Sequence, residues 1–344
     1  MRLLHIANTD LEFELSGQTD LPLQKALRRN PIVHQLQFLP LLYREKEEGI
    51  GVTDLPSDGP ACQLLSDAQI PYDQIESWGP SKCIAEWAKK RGLIYHMPAW
   101  DVVKTVNSKA FSFEQTKPLP GGELIFSWDH LMQWIQKVDG PKVLKTCFGL
   151  SGQGHLLLPA AEEKIKAFAE KEFQEARPLI AEPWVMRKLD FSTQWIIEQD
   201  QSILYVGSTL LQSDAKGRYS GTIIGSEEKI FGSYFNQLQR HKEAAMYTLK
   251  KMAALNFYGN VGIDAMIWGS DVLHPIVEIN ARKTMGWIAL QIRKRLFPNQ
   301  TIQVSYEAIK EERGLLPEGF IKPNGEVKRF KRNLYVDVLA QRPF

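Results

Sequence analysis

The stretch G-N-V-G-I-D-A-M-I-W-G-S-D-V-L-H-P-I-V-E-I-N-A-R, residues 259–282, decides the reading of this chain. Apolar and polar residues alternate on either side of G-S-D, which is the pattern of a β-hairpin. With the turn centred near Ser270, Asp264 falls on the same sheet face as Glu278 and Asn280. Ile263, Ala265, Ile267, Val277 and Ile279 then face the other way. Carboxylates at near-diagonal positions on adjacent strands stand roughly 7 Å apart at Cβ, a gap their side chains can bridge around a metal ion. Two carboxylates and an amide oxygen are hard donors, a set that suits magnesium carrying nucleotide phosphates. Arg282, extending from the same strand, would place a planar cation beside a transferring phosphoryl group. The plain alternative is a surface hairpin whose polar face is solvated.

Upstream, P-K-V-L-K-T-C-F-G-L-S-G-Q-G-H-L-L-L at 141–158 reads as strand, glycine-rich loop, strand. Glycines let backbone N–H groups close on phosphate oxygens without obstruction, so Gly149, Ser151, Gly152 and Gly154 form a candidate phosphate loop, with Lys145 adding a point charge. The loop lacks the G-K-[ST] ending of a P-loop, and G-x-x-G-x-G is not the dinucleotide fingerprint, so an ordinary glycine-rich hairpin turn stays open. A-E-P-W-V at 181–185 offers an acidic residue and flat apolar walls at the start of a new strand system. That suits an adenine ring between two lobes, or simply connects two domains. Between 212 and 225 the run Q-S-D-A-K-G-R-Y-S-G-T-I-I-G carries Lys216 and Arg218 among glycine and serine, fitting a mobile active-site loop or a solvated surface loop.

Around these segments the fold class is α/β plus α+β. Residues 1–105 read as a small parallel-sheet domain: an apolar run at Leu3 to Ile6, helical stretches, then a helix carrying Ile84, Trp87 and Ala88 that stops at Gly92 before a strand-like L-I-Y. P-L-P-G-G at 118–122 breaks the chain. A helix with Leu131, Trp134 and Ile135 follows, and Ile165, Phe168, Ala169 and Phe173 line a later helix before a return strand through Leu179 and Ile180. The expected units are 1–105, a lid-sized subdomain at 106–182, and 183–344, which combines strands with a long amphipathic helix near 238–256 and another near 286–296.

The bulk properties restrict function. The 42 basic and 40 acidic residues leave a net charge of +2, so no broad field attracts nucleic acid or anionic lipid. K-R-F-K-R at 328–332 reads as a solvated strand or turn. Cys62, Cys83 and Cys147 stand far apart with no C-x-x-C pair, against a disulfide framework or structural zinc and in favour of a reducing, cytoplasmic compartment. No window approaches the roughly 20 apolar residues of a membrane span. H-I-A-N-T-D after the first apolar run excludes a dehydrogenase-type G-x-G-x-x-G.

Taken in order, these segments resemble the ATP-grasp superfamily of ligases. V-N-S-K-A-F-S-F resembles the segment entering the ATP-grasp unit, whose lysine reaches nucleotide phosphate, here Lys109. V-L-K-T-C-F-G-L-S-G-Q-G-H is similar to the second ATP lysine and glycine-rich loop, implying Lys145 and Gly149 to Gly154. I-A-E-P-W-V is similar to the adenine hinge, implying Glu182, Trp184 and Val185, and L-D-F-S-T-Q-W places Asp190 near ribose or the phosphates. V-E-I-N-A-R resembles the E-x-N-x-R ending, implying Glu278 and Asn280 as magnesium ligands and Arg282 beside the γ-phosphate. Asp264 stands where relatives often carry glutamate, with a shorter reach. The resemblance spans roughly residues 105–290 and implies an N-terminal parallel-sheet domain followed by a two-lobed ATP-grasp unit.

It also implies chemistry. ATP and two Mg2+ ions, or Mn2+ in their place, would serve ADP-forming ligation: a small-molecule acid becomes an acyl phosphate that an amine attacks, with amino acids or peptides as the expected substrates. Lys216 and Arg218 join Arg282 as expected catalytic residues. The rivals are a kinase or thiol ligase on the same scaffold, and a non-catalytic ATP-binding regulator. No nucleic-acid or membrane partner is expected, and a homodimer is compatible. Trp78, Trp100, Trp184, Trp195 and Trp287 are either pocket walls or core, and His155, His241 and His274 have no expected catalytic role.

Overall fold

The structure is a computed structural model that describes residues 1–17, 21–149, 154–213 and 219–339. The N-terminal sheet is parallel. Its strands β1 (Leu3–Ile6), β2 (Gly49–Val52), β3 (Gln63–Leu64) and β4 (Gln74–Ser77) lie in the order β3-β2-β1-β4. Short apolar runs such as Leu3–Ile6 suit a sheet covered on both faces. Helices α1 (Leu11–Leu15), α2 (Leu23–Ala26), α3 (Pro31–Leu36) and α4 (Lys82–Lys89) accompany it. Ser81 caps α4 by accepting from the Ile84 amide, and Gly92, at φ +67°, follows the helix end as expected. Leu93 to Tyr95 forms no strand; only Ile94 makes an isolated parallel bridge to Gln74.

The order reverses between β1 and β4, where ligands of open parallel sheets gather beyond the strands' carboxyl ends. Asn8 locks that point, donating to the Gly79 carbonyl (3.1 Å) and accepting from the Gly79 amide (3.2 Å).

Helices α5 (Trp100–Asn107) and α6 (Lys109–Glu114) lead into an antiparallel lid sheet ordered β5-β8-β6-β7: β5 (Glu123–Ile125), β6 (Lys142–Lys145), β7 (His155–Leu158) and β8 (Leu179–Pro183). The glycine-rich segment therefore joins hairpin partners, as its pattern suggests. The short strand β5 leaves no clear period in the sequence and adds a fourth strand. Helices α7 (Trp128–Lys137) and α8 (Glu162–Gln174) cover one face, burying Leu131, Trp134, Ile165 and Ala169 against Leu144, Leu156 and Leu179. Each large apolar side chain in that layer contributes roughly 1.5–3 kcal/mol of burial.

The remaining sheet has seven strands ordered β13-β12-β9-β10-β11-β14-β17, all antiparallel: β9 (Arg187–Ile197), β10 (Ile203–Ser213), β11 (Tyr219–Ile224), β12 (Gly259–Trp268), β13 (Val272–Asn280), β14 (Ile302–Ala308) and β17 (Arg332–Val338). A small ribbon of β15 (Gly319–Ile321) and β16 (Val327–Arg329) stands apart; β16 is exposed, in keeping with a solvated basic segment. Helix α9 (Glu227–Phe231) precedes α10 (Phe235–Ala254), which buries Ala245, Leu249 and Met252 against Ile263, Ile276 and Ile279 of the hairpin. Helix α11 (Met285–Leu296), capped by Thr284 at the Trp287 amide, packs on β10 and β11 near the N-terminal sheet.

Candidate active site

The hairpin of β12 and β13 turns through Gly269, Ser270 and Asp271, with Trp268 opposite Val272, so the turn is centred on Ser270. From Met266 opposite His274 the pairing shifts, and Asp264 then stands directly opposite Glu278, with Gly262 opposite Asn280. Unbroken pairing would set Asp264 against Ile276. The bulge inserts two residues in β13, and because the side-chain period is two, the polar set keeps its face while the carboxylates move from near-diagonal to direct opposition. Val277, expected in the core, instead lines the cavity, because it sits in this bulge.

One cavity of about 350 Å3 runs between the lid and the large sheet and reaches the N-terminal domain. Lys109, Lys145, Gly149, Gly154, Glu182, Trp184, Asp190, Asp264, Glu278, Asn280 and Arg282 all line it; Val185 does not. Ser151, Gly152, Lys216 and Arg218 lie outside the described residues. Of the tryptophans, Trp78 and Trp184 line the cavity, whereas Trp195 belongs to the core and Trp100 and Trp287 pack against it.

Lys109 is the first residue of α6, placed there by the Ser108 cap, and its amide donates to the Cys147 carbonyl at 3.0 Å. Its ammonium donates to Glu278 Oε1 at 2.8 Å and to the Gly149 carbonyl at 3.5 Å. Burial would push both groups toward neutrality, yet their attraction wins: Lys109 is held above its ordinary range and Glu278 below its own. Lys145 pairs with buried Glu182 at 2.5 Å, and although burial opposes it, this lysine holds Glu182 low. Glu182 therefore turns to the lysine as well as to the cavity. Asp190 accepts from Arg187 at 3.3 Å, but burial keeps its carboxyl raised.

Asp264 is pushed up to about 7, first by burial and then by the Glu278 charge opposite. Asn280 donates to Asp264 at 3.2 Å, and its oxygen accepts from Arg282 at 2.5 Å. Two opposed carboxylates in a buried setting are the donor set a hard divalent cation stabilises, so the residues fit magnesium. The expected third donor, the Asn280 oxygen, faces Arg282 in this structure, with the amide nitrogen turned to Asp264. Among the described residues no group of three or more His, Cys, Asp and Glu side chains is arranged for a metal, so water and phosphate oxygens would complete the shell.

Several residues the sequence did not single out hold this site. Asn107 accepts from the Ala281 amide (2.9 Å) and Ser112 from the Ile279 amide (3.0 Å), gripping the strand on both sides of Asn280. Both belong to the V-N-S-K-A-F-S-F segment, where polar residues flanking Lys109 were the available signal. Arg282 also meets Glu12 of α1 at 2.7 Å, and Lys283 pairs with Glu76 while donating to the Ser77 carbonyl at 2.9 Å. Gly79 must be glycine, since a Cβ there would sit 2.8 Å from the Arg282 Cβ and 2.5 Å from Leu11 Cδ2. His274 and His155 line the cavity and are both held low, chiefly by burial.

Solved structures resemble most or nearly all of the chain. N5-carboxyaminoimidazole synthetase from Staphylococcus aureus, complexed with ADP, is 15% identical with a TM-score of 0.55, over 99% of this chain and 94% of that one. The biotin carboxylase domain dimer of Hydrogenobacter thermophilus 2-oxoglutarate carboxylase, with MgADP, ADP and bicarbonate, is 15% identical with a TM-score of 0.53, over 78% and 71%. Carboxyaminoimidazole ribonucleotide synthase from Aspergillus clavatus, with ATP, is 13% identical with a TM-score of 0.51, over 98% and 94%. The chain has the ATP-grasp fold, with a parallel N-terminal sheet and antiparallel sheets after it. No protein-family model matches the sequence, and neither does any curated protein. Among the described residues no helix is long and apolar enough to cross a membrane.

Proposed function

We propose that this chain is an ADP-forming, ATP-dependent ligase that activates a carboxylate as an acyl phosphate and joins it to an amine. One observation carries the reading: Lys109, Lys145, Asp264, Glu278, Asn280 and Arg282, drawn from three separate stretches of sequence, line one cavity between lid and sheet. That is a cradle for a triphosphate, and ATP-grasp neighbours hold ADP or ATP. The working units are 1–105, 106–182 and 183–344, in a reducing, cytoplasmic setting.

Lys109 and Lys145 neutralise phosphate oxygens, with the amides of Gly149 to Gly154 around them. Glu182, Trp184 and Asp190 border the nucleoside; Val185, which does not line the cavity, is not carried over. Asp264, Glu278 and Asn280 are the residues that would hold Mg2+, which would supply charge neutralisation for the nucleotide phosphates. Arg282 steadies the transferring phosphoryl group and then the charge that develops when the amine attacks the activated carbonyl; Lys216 and Arg218 are proposed to assist it. The acid and amine enter at the far end of the cavity, between Thr9 and Trp78 at the strand-order reversal and Met285 and Gly286 at the start of α11. Thr9 Oγ1 is buried and has no hydrogen-bond partner among the described residues.

The test is a screen of amino-acid and peptide pairs for magnesium-dependent release of ADP and phosphate, with Glu278→Ala as control. Release of AMP and pyrophosphate would overturn the acyl-phosphate reading, as would turnover unaffected by the control.

A further inference from the structure

His241 is fully buried on α10 and lines no part of the cavity, yet it bonds to the segment that sets the metal ligands. Its Nδ1 lies 2.7 Å from the Pro275 carbonyl, and its Nε2 lies 2.7 Å from the Thr193 hydroxyl. A carbonyl can only accept, so Nδ1 carries the proton and Nε2 is left to accept. Thr193 then donates its hydroxyl proton to Nε2 while its oxygen accepts from Trp195 Nε1 at 2.8 Å. This fixes a directed chain from Trp195 through Thr193 and His241 to Pro275. Burial, the main cause, lowers His241 to about 4, so the ring is neutral and keeps one donor and one acceptor. The edge-on ring of Phe191 at 5.1 Å fills another side.

Pro275 opens the two-residue bulge in β13. That bulge places Glu278 opposite Asp264; without it the carboxylates would be displaced by two residues, roughly 7 Å along the strand. A bulge leaves ladder bonds unmade and needs an outside tether to stay in one register. We infer that His241 is a positioning residue whose bond to the Pro275 carbonyl clamps the bulge and thereby sets the Asp264–Glu278 pair for its divalent cation. The inference rests on the proposed metal role of those carboxylates and adds a residue that touches neither metal nor nucleotide.

The test uses the full-length protein, Mg2+ and a non-hydrolysable ATP analogue, read by calorimetry. His241→Phe keeps the ring and its packing but removes both hydrogen bonds, whereas His241→Asn keeps an amide donor near the position of Nδ1. The Phe variant is expected to need about tenfold or more Mg2+ for half-saturation, the loss typical of groups that orient metal ligands, with metal-free analogue binding unchanged. The Asn variant is expected to recover most of that loss. Equal Mg2+ requirements in wild type and the Phe variant overturn the clamp, and so does an Asn variant as impaired as Phe. Should the Phe variant not fold, His241→Leu, which likewise removes the bond to the Pro275 carbonyl, takes its place under the same criteria. A wild type without Mg2+-dependent binding defeats the proposed function instead. The clamp is then decided by amide hydrogen exchange: faster exchange at Val277 and Glu278 in the variant supports it, and unchanged exchange overturns it.

Discussion

Lys109 Nζ and Glu278 Oε1 stand 2.8 Å apart, with side chains only 14% and 31% exposed. The group proposed to hold phosphate and the group proposed to hold metal thus neutralise each other. Asp264 and Glu278, on holding a cation between them, would release the Lys109 ammonium, so metal and nucleotide should each raise the affinity for the other. Glu278→Gln removes the competing charge and leaves Lys109 available. Calorimetry with ATP in the presence of a chelator should show the variant binding about tenfold more tightly than wild type, while its Mg2+-dependent gain in affinity disappears. Weaker metal-free binding by the variant would refute this exchange of partners.

Gly149 and Gly154 approach each other at the two ends of the glycine-rich segment proposed to hold phosphate. A Cβ on Gly149 would lie 2.8 Å from the Gly154 Cα, and one on Gly154 would lie 2.9 Å from Thr146 Oγ1 and 3.1 Å from the Gly149 Cα. The Thr146 amide also donates to the Gly154 carbonyl at 2.9 Å. Backbone cannot yield as a flexible side chain does, so Gly149→Ala should push the two ends apart. The expected result is a KM for ATP raised about tenfold, with the melting temperature changed by only a few degrees.

The hairpin's polar face was legible because strand alternation is a local property, and I-D-A at 263–265 and V-E-I-N-A at 277–281 carry it. The bulge was not legible: Pro275 hints at irregular pairing, but the shift is fixed by α10 and the His241 bond, which join residues 34 positions apart. Similarly, Lys145 could be named from its place before the glycine-rich run and Lys109 from the resemblance of V-N-S-K-A-F-S-F to an ATP-grasp segment, whereas their pairing with Glu278 and Glu182 depends on how the lid meets the sheet. The seam to the N-terminal domain was hidden for the same reason. Glu12 and Glu76 look like ordinary charged residues until the fold sets them against Arg282 and Lys283.

That seam gives an asymmetric prediction. Lys283 is 1% exposed and Glu76 41% exposed at the side chain, although they form one ion pair. Removing the carboxylate strands a buried ammonium, whereas removing the ammonium leaves a carboxylate that water can reach. Chemical denaturation should therefore show Glu76→Gln losing roughly 3 kcal/mol and Lys283→Met nearer to about 1 kcal/mol. Equal losses would mean that solvent reaches Lys283 as readily as its partner.

His241 makes stability depend on pH in a calculable direction. Its folded value of about 4 lies below the ordinary 6.5, so the unfolded chain binds the proton more tightly. The neutral ring's contribution is therefore complete above pH 6.5, declines as pH falls from there toward 4, and levels off below. At about 1.4 kcal/mol for each tenfold difference in proton affinity, the full change is on the order of 3 kcal/mol. Carboxylates titrate in the same window, among them Asp10, which burial raises to about 6, so wild type must be compared with His241→Asn, in which only the imidazole is missing. Denaturation series from pH 7 to pH 4 should show the stability of wild type falling more steeply than that of the variant. Parallel curves would mean that the imidazole is solvated or already charged in the folded protein, and the directed hydrogen-bond chain through Thr193 would be wrong.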